Sequence, residues 1–94
     1  MKPSEVRADD RVRKFRLDRM LRIYDLEKQF RRPLTLAELI EDVIGPDISP
    51  STAAIFVETW LRTEHIRQVG DHYSLDIRGQ NCVSDHLNSR RKQR

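Results

Sequence analysis

The sequence predicts a small α+β domain that is mostly helical, with three helices followed by a β-hairpin and a short C-terminal helix. Apolar side chains recur at helical spacing through the first two-thirds of the chain. Residues 66–77 instead indicate a hairpin with a Gly-Asp pair at its turn, and apolar and polar side chains alternate in its second strand, at Tyr73, Leu75 and Ile77. With 94 residues, of which 37% are apolar, the chain is long enough for one domain with a lean core.

The first predicted helix covers residues 9–32, which contain neither glycine nor proline. Acidic side chains at its start and arginines at its end complement the helix dipole, and Pro33 stops it. Its apolar side chains form one wide face. They are Leu17, Met20, Leu21, Ile23, Tyr24 and Phe30. We expect the helix to pack on the core through this face.

A capping box predicts the start of the second helix. The Thr35 hydroxyl can accept a hydrogen bond from the backbone of Glu38, and the Glu38 carboxylate can reach back to the threonine amide. The apolar stripe that follows has the spacing of a buried helix face. Its members are Leu36, Leu39, Ile40, Val43 and Ile44. Gly45-Pro46 ends the helix, and the glycine suits a left-handed terminus.

The third predicted helix runs from Pro50 to Glu64. Ser49 is a suitable N-cap residue, and proline is well tolerated in the first turn. His65 lies where a helix commonly ends through a left-handed residue. The predicted core positions of this helix are Ala53, Phe56, Val57, Trp60 and Leu61.

The hairpin is predicted over residues 66–77, with Gly70-Asp71 at its turn. Glycine at the first turn position suits a type II′ turn. The side chains expected on its buried face are Tyr73, Leu75 and Ile77. After Gly79, two apolar residues one helical turn apart predict a short, weakly amphipathic final helix. They are Val83 and Leu87.

Charge is distributed unevenly along the chain. The formal net charge is +5 for residues 1–32, −5 for residues 33–61 and +3 for residues 62–94. Basic ends favour a polyanionic partner, most often nucleic acid. An ordinary solvated surface with scattered ion pairs is the alternative for the first segment.

Domain boundaries follow from the periodic segments. We assign residues 1–8 to a loose N-terminal arm, residues 9–88 to the domain and residues 89–94 to a basic C-terminal tail. Such a tail contacts phosphates without reading sequence. One cysteine, Cys82, excludes an intrachain disulfide framework and indicates a reducing, cytoplasmic environment.

The predicted order of elements, with a short connection between the second and third helices, resembles the winged helix-turn-helix superfamily. Within it, the chain is most similar to small bacterial, archaeal and phage transcriptional regulators. The resemblance covers residues 34–79. It is carried by the entry to the second helix, the start and end of the third, and the segment leaving the hairpin. These are residues 33–39, 49–52, 61–66 and 73–79.

The resemblance implies binding of double-stranded DNA, with the third helix in the major groove and the hairpin, or wing, at the backbone or minor groove. On or near the groove-facing side of the third helix would lie Ser49, Ser51, Thr52, Ile55, Thr59 and Arg62. The wing would add Arg67 and His72. The first helix would contact the DNA backbone through Arg11, Arg13, Lys14 or Arg16. A domain of this size makes few base contacts, so a homodimer reading two half-sites is expected.

A protein-binding role is the alternative. The third helix lacks the several Arg, Lys, Asn or Gln side chains that usually read base edges, and Ala54 and Ile55 are apolar and directed outward. Acids on the second helix would repel phosphates; they are Glu38, Glu41 and Asp42. The alternative is therefore an adaptor that docks on a polymerase or another replication or transcription component through an apolar, acidic-rimmed surface.

Other function classes receive no support from the motifs. Phosphate-binding loops, zinc-protease motifs and nucleophile elbows are absent from the sequence. Cys82 and His86 have a spacing used by metal ligands, but no second pair completes a known module. We expect no catalysis, no cofactor and no metal. No apolar run approaches the ~20 residues of a membrane helix, and nothing resembles a signal peptide.

Overall fold

The computed structural model describes the backbone of residues 3–92 and the side chains of residues 10–90. Within this range the chain forms four helices and a three-stranded antiparallel sheet, which confirms a mostly helical α+β fold. The elements are α1 (Pro3–Phe30), β1 (Leu34–Thr35), α2 (Leu36–Glu38, continued as a π-helix over Leu39–Ile44), α3 (Pro50–Arg62), β2 (Ile66–Val69), β3 (His72–Leu75) and α4 (Ile77–Lys92).

Helix α1 is displaced towards the N-terminus relative to the prediction. It begins at Pro3 rather than Asp9, since nothing between them breaks a helix and proline suits a first turn. It ends at Phe30, because Arg31 adopts a φ of 59°. Its second half supplies the core, and Phe30, expected there, is 36% exposed. Among the described side chains of α1, those of Met20, Ile23 and Leu26 are buried.

Strand β1 was not predicted. Leu34 and Thr35 pair antiparallel with Tyr73 and His72 of β3, and β3 pairs with β2 on its other edge. The strand order is therefore β1-β3-β2. Two residues are too few to display the alternation that identifies a strand in sequence. The extra strand ties the start of α2 directly to the hairpin.

The capping box at the start of α2 is confirmed. The Thr35 hydroxyl accepts from the Glu38 amide at 3.1 Å, and the Glu38 carboxylate accepts from the Thr35 amide at 2.8 Å. The same carboxylate accepts a hydrogen bond from each terminal nitrogen of Arg32, both at 2.8 Å. This bidentate pair links the segment after α1 to α2.

The remainder of α2 is wider than predicted. The amide of Gly45 donates to the carbonyl of Ile40, five residues back, at 2.9 Å. Gly45 has a φ of 111°, so a glycine is required there, although its conformation is not the left-handed helical one. Leu36, expected in the stripe, is 44% exposed, whereas later apolar residues of the helix are buried. Those residues are Leu39, Val43 and Ile44.

The hairpin has the predicted turn. Gly70 has a φ of 65° while Asp71 stays outside the positive-φ region, the pattern of a type II′ turn. Strand β3 ends at Leu75 rather than continuing to Ile77, which is the first residue of α4 and is 57% exposed. The expected inward position of Ile77 is therefore wrong, because the chain changes from strand to helix before it.

The junction between α3 and α4 also differs from the prediction. Helix α3 ends at Arg62, and the left-handed residue is Glu64, with a φ of 64°, rather than His65. His65 is buried instead. Gly79 lies inside α4, and a Cβ at this position would collide with the carbonyl oxygen of His65. Glycine therefore permits α4 to approach the end of α3.

This close approach predicts the effect of Gly79→Ala. Alanine favours an exposed helix over glycine by about 1 kcal/mol, but here the added methyl must displace backbone, so we expect a net loss of stability. Urea unfolding of the wild type and the variant measures it. Ser84→Ala, an exposed change in the same helix, is the control and should be neutral or stabilising. A Gly79→Ala protein as stable as Ser84→Ala would contradict the packing described.

Candidate nucleic-acid interface

The side of α3 opposite the core is exposed along its whole length. Ala53, Val57 and Trp60 anchor the helix in the core, as predicted. Trp60 is 3% exposed. Ile55, on the opposite side, is 62% exposed. The predicted groove-facing residues all lie outside the core: Ser49, Ser51, Thr52, Ile55 and Arg62 are exposed and Thr59 is half-buried.

The start of α3 is a hydroxyl cluster. Ser49 caps the helix, accepting from the Thr52 amide at 3.3 Å and donating to the Thr52 hydroxyl at 2.9 Å. Its oxygen also lies 3.4 Å from that of Ser51. Pro50 occupies the first turn, as the sequence indicates. The cluster holds three short polar side chains at the exposed, positive end of a helix dipole.

The basic residues of α1 are divided between two grooves. Arg11 and Arg16 line a groove against α3, which contributes Thr59 and Thr63. Arg13 lines a second groove, between α1 and α4, to which Arg16 also contributes. Lys14 is exposed and lines neither. The four residues predicted to contact the DNA backbone therefore do not form one row. Arg11 and Arg16 border α3, and Arg13 faces α4.

The β2–β3 hairpin carries the residues predicted for a wing, but its charge is mixed. Arg67 on β2 is exposed, and His72 on β3 is half-buried. Asp71 in the turn is exposed and opposes the charge of Arg67. Strand β2 packs on α3, so the hairpin and α3 are held as one unit.

The outer face of α3 is close to electrically neutral. Glu58 and Arg62 are both exposed there, and their charges offset each other. On α2, Glu41 and Asp42 are exposed, whereas the carboxylate of Glu38 is engaged by Arg32. That contact holds the pKa of Glu38 at about 2, below its ordinary value, with further help from the Thr35 amide. The expectation of three acids facing phosphates thus reduces to two.

His65 is buried, whereas the sequence analysis predicted it only as the residue at which the third helix ends. It is 5% exposed, and its Nδ1 lies 2.7 Å from the Thr63 hydroxyl. That hydroxyl also lies 2.9 Å from the Thr59 carbonyl and has one proton to donate. The hydroxyl therefore donates either to that carbonyl or to Nδ1, according to the tautomer of the ring.

The surroundings of His65 disfavour its charged form. Burial lowers its pKa below the ordinary value, and the positive charges of Arg16 from α1 and Arg78 from α4 lower it further. His65 is therefore the neutral centre of a positively charged neighbourhood.

Glu27 has the opposite environment, on the side of α1 that faces the sheet. Burial raises the pKa of its carboxyl group above the ordinary value. Ser74, the Leu75 backbone and the charge of Arg67 offset part of that rise. One carboxylate oxygen is buried without a hydrogen-bond partner among the described residues. Ionisation of this side chain therefore destabilises the folded state.

The described residues contain no group of three or more His, Cys, Asp or Glu side chains that could hold a metal ion. Cys82 and His86 do line the groove between α1 and α4, together with Asp85. No helix in the described part of the chain is long and apolar enough to cross a membrane.

An aromatic cluster beside α3 was also missed by sequence reasoning. The ring of Phe15 lies 5.0 Å from that of Phe56, which lies 5.7 Å from Trp60, measured between centroids. The guanidinium of Arg19 covers the Phe15 ring at 4.5 Å. The signal was present, because Phe15 and Arg19 are one helical turn apart on the side of α1 that carries Val12.

Comparison of the chain with known protein families, curated proteins and solved structures gives no match.

The environment of His65 predicts an acid-sensitive component of stability. Its native pKa lies below the ~6.5 of an unfolded chain, so the unfolded state binds more protons in that interval and stability falls as pH falls below about 6.5. Urea unfolding at several pH values between 7.5 and 5 measures the slope. His65→Asn should have a shallower slope. Equal slopes for wild type and His65→Asn would contradict this assignment.

Proposed function

We propose that the chain is a winged-helix DNA-binding regulator in which α3 enters the major groove. The observation that carries the proposal is the position of Arg11 and Arg16, which border the same side of α3 as Thr59, while the outer face of α3 remains exposed. Guanidinium groups beside an exposed helix suit phosphates flanking a groove. The observed succession of helices, short connection and hairpin agrees with the resemblance.

Sequence readout in this proposal belongs to α3. Ser51 and Thr52, at the helix N-terminus, reach phosphates or base edges, and Arg62 can bond guanine. Ile55 can contact a thymine methyl. Glu58 shares the exposed face, and its carboxylate either accepts from cytosine or weakens binding elsewhere.

Affinity in this proposal comes mainly from elements around α3. Arg11, Arg16 and Lys14 supply phosphate contacts from α1, and Arg67 supplies one from the wing. Because α3 itself contributes a single basic side chain, phosphate neutralisation depends on its neighbours. A homodimer would double these contacts and read two half-sites.

A protein-binding adaptor is the second candidate. It is favoured by Ile55, which is 62% exposed next to the exposed Ala54 on α3. Exposed apolar groups at this location suit a protein partner as well as a thymine methyl. Two exposed acids of α2, Glu41 and Asp42, would complete the acidic rim.

The salt dependence of DNA binding tests the electrostatic part. With four to six phosphates neutralised per protomer, log K should fall with log salt at a slope of roughly −4 to −5. Arg11→Gln should weaken binding to all duplexes and make the slope shallower by about 0.9. Lys28→Gln, at the other end of α1, is the matched control and should leave the slope unchanged. Binding insensitive to salt would contradict phosphate contact.

Paired substitutions on α3 separate the two functions. If α3 reads DNA, Arg62→Ala should cost about 1–3 kcal/mol and relax preference at one base position, and Ile55→Asp should also weaken binding. If the domain is an adaptor, Ile55→Asp should abolish capture of a protein partner and Arg62→Ala should not. Selection from a random duplex library and capture from whole-cell protein provide the two measurements. No enriched duplex, together with capture lost only in Ile55→Asp, would replace the first proposal by the second.

A further inference from the structure

The groove between α1 and α3 has the character of a ligand site. Its volume is about 390 Å³, within the usual range for small-molecule pockets. Most of its lining is apolar. The apolar side chains are Val12 and Phe15 from α1 and Phe56 and Trp60 from α3. Val12 is 62% exposed, which leaves an apolar edge open to solvent.

The polar part of the lining has one sign of charge. Arg11 and Arg16 line the groove, and Thr59 and Thr63 add hydroxyl groups. Within residues 10–90 the recorded ion pair joins Arg32 to Glu38, at the far end of α1, and neither groove arginine takes part in one. The groove thus combines aromatic surface with two guanidinium groups that lack a carboxylate among the described side chains.

A third arginine extends this pattern. The Arg19 guanidinium lies over the Phe15 ring at 4.5 Å, and its Nε is buried without a hydrogen-bond partner among the described residues. The aromatic cluster is therefore electropositive on the α1 side. A cationic or neutral apolar ligand would leave that charge uncompensated, whereas an anionic one would compensate it.

We propose that this groove binds a small aromatic carboxylate, with the ring among Phe15, Phe56 and Trp60 and the carboxylate on Arg16 or Arg11. A guanidinium and a carboxylate match in shape and form two parallel hydrogen bonds. Offset stacking on two phenylalanine rings favours a planar ring over an alkyl chain. The limited volume selects a ligand of one or two rings.

Binding should be detectable at His65, which does not line the groove. The charge of Arg16 contributes to the lowered pKa of His65, together with burial and Arg78. A carboxylate on Arg16 cancels part of that positive field. The pKa of His65 should therefore rise when the ligand binds, and a neutral ligand in the same groove should not raise it.

The experiment is an NMR titration of the purified chain, without DNA, with 2-naphthoate and with the uncharged isostere 2-naphthamide. Trp60 is the sole tryptophan, so its indole N–H gives one resonance at the groove. We expect saturable shifts of this resonance with 2-naphthoate, affinity at least about tenfold weaker for 2-naphthamide, and a raised His65 pKa with the carboxylate only.

Substitutions assign the charge. Arg16→Gln should weaken 2-naphthoate binding by about tenfold and leave 2-naphthamide unchanged, while Arg16→Lys should keep part of the preference. Arg11→Gln, an exposed change, serves the same purpose if Arg16→Gln does not fold. Lys14→Gln removes an equal charge from α1 outside the groove and should have little effect.

Three results would overturn the proposal. They are equal affinity for the acid and the amide, absence of saturable shifts at millimolar 2-naphthoate, and a Trp60 resonance that, without ligand, moves as the protein concentration rises and the molecular mass doubles. The last would show that a second copy of the chain fills the groove. Because no DNA is present, each result is independent of the outcome for DNA binding.

Discussion

The close approach of α4 to the end of α3 positions everything else in this domain. The backbone carbonyl of His65 accepts from the Asp76 amide at 3.0 Å, and the carbonyl of Glu64 accepts from Arg78 at 3.1 Å. Amides at the entry to α4 thus satisfy carbonyls just beyond α3, where helical partners have run out. Gly79 permits the contact by having no side chain. Strand β2 begins at Ile66, directly after His65, so the junction holds α3, the β2–β3 hairpin and α4 together.

Arg16 links this junction to the surface. It lines the groove against α3 and the groove against α4, and its charge also reaches His65. A half-buried guanidinium is costly unless an anion compensates it. A DNA phosphate or a ligand carboxylate would each compensate the charge of Arg16. An organic acid in the α3 groove would therefore compete with contact between Arg16 and the DNA backbone.

Sequence reasoning recovered the elements that have local signals. The Thr35–Glu38 capping box, the Ser49 cap and the Gly70 turn are each specified by a few adjacent residues, and all three are present. The errors lie where distant contacts decide the conformation. Strand β1 exists only because β3 lies beside it, and the burial of His65 depends on α4. The α3 groove was missed because it needs Phe15 and Phe56, which are forty-one positions apart in the sequence.

In the proposed DNA-binding role, affinity and sequence selectivity would come from different elements. The outer face of α3 balances Glu58 against Arg62, so long-range attraction to a polyanion must come from α1. If α3 reads DNA, its neutral outer face would add little attraction to phosphates at a wrong site, and discrimination would depend on short-range contacts from Ile55 and the hydroxyl cluster. The same neutrality suits a protein interface. What distinguishes the two roles is therefore whether the basic residues of α1 meet the partner at the same time as α3, and their position beside Thr59 favours DNA.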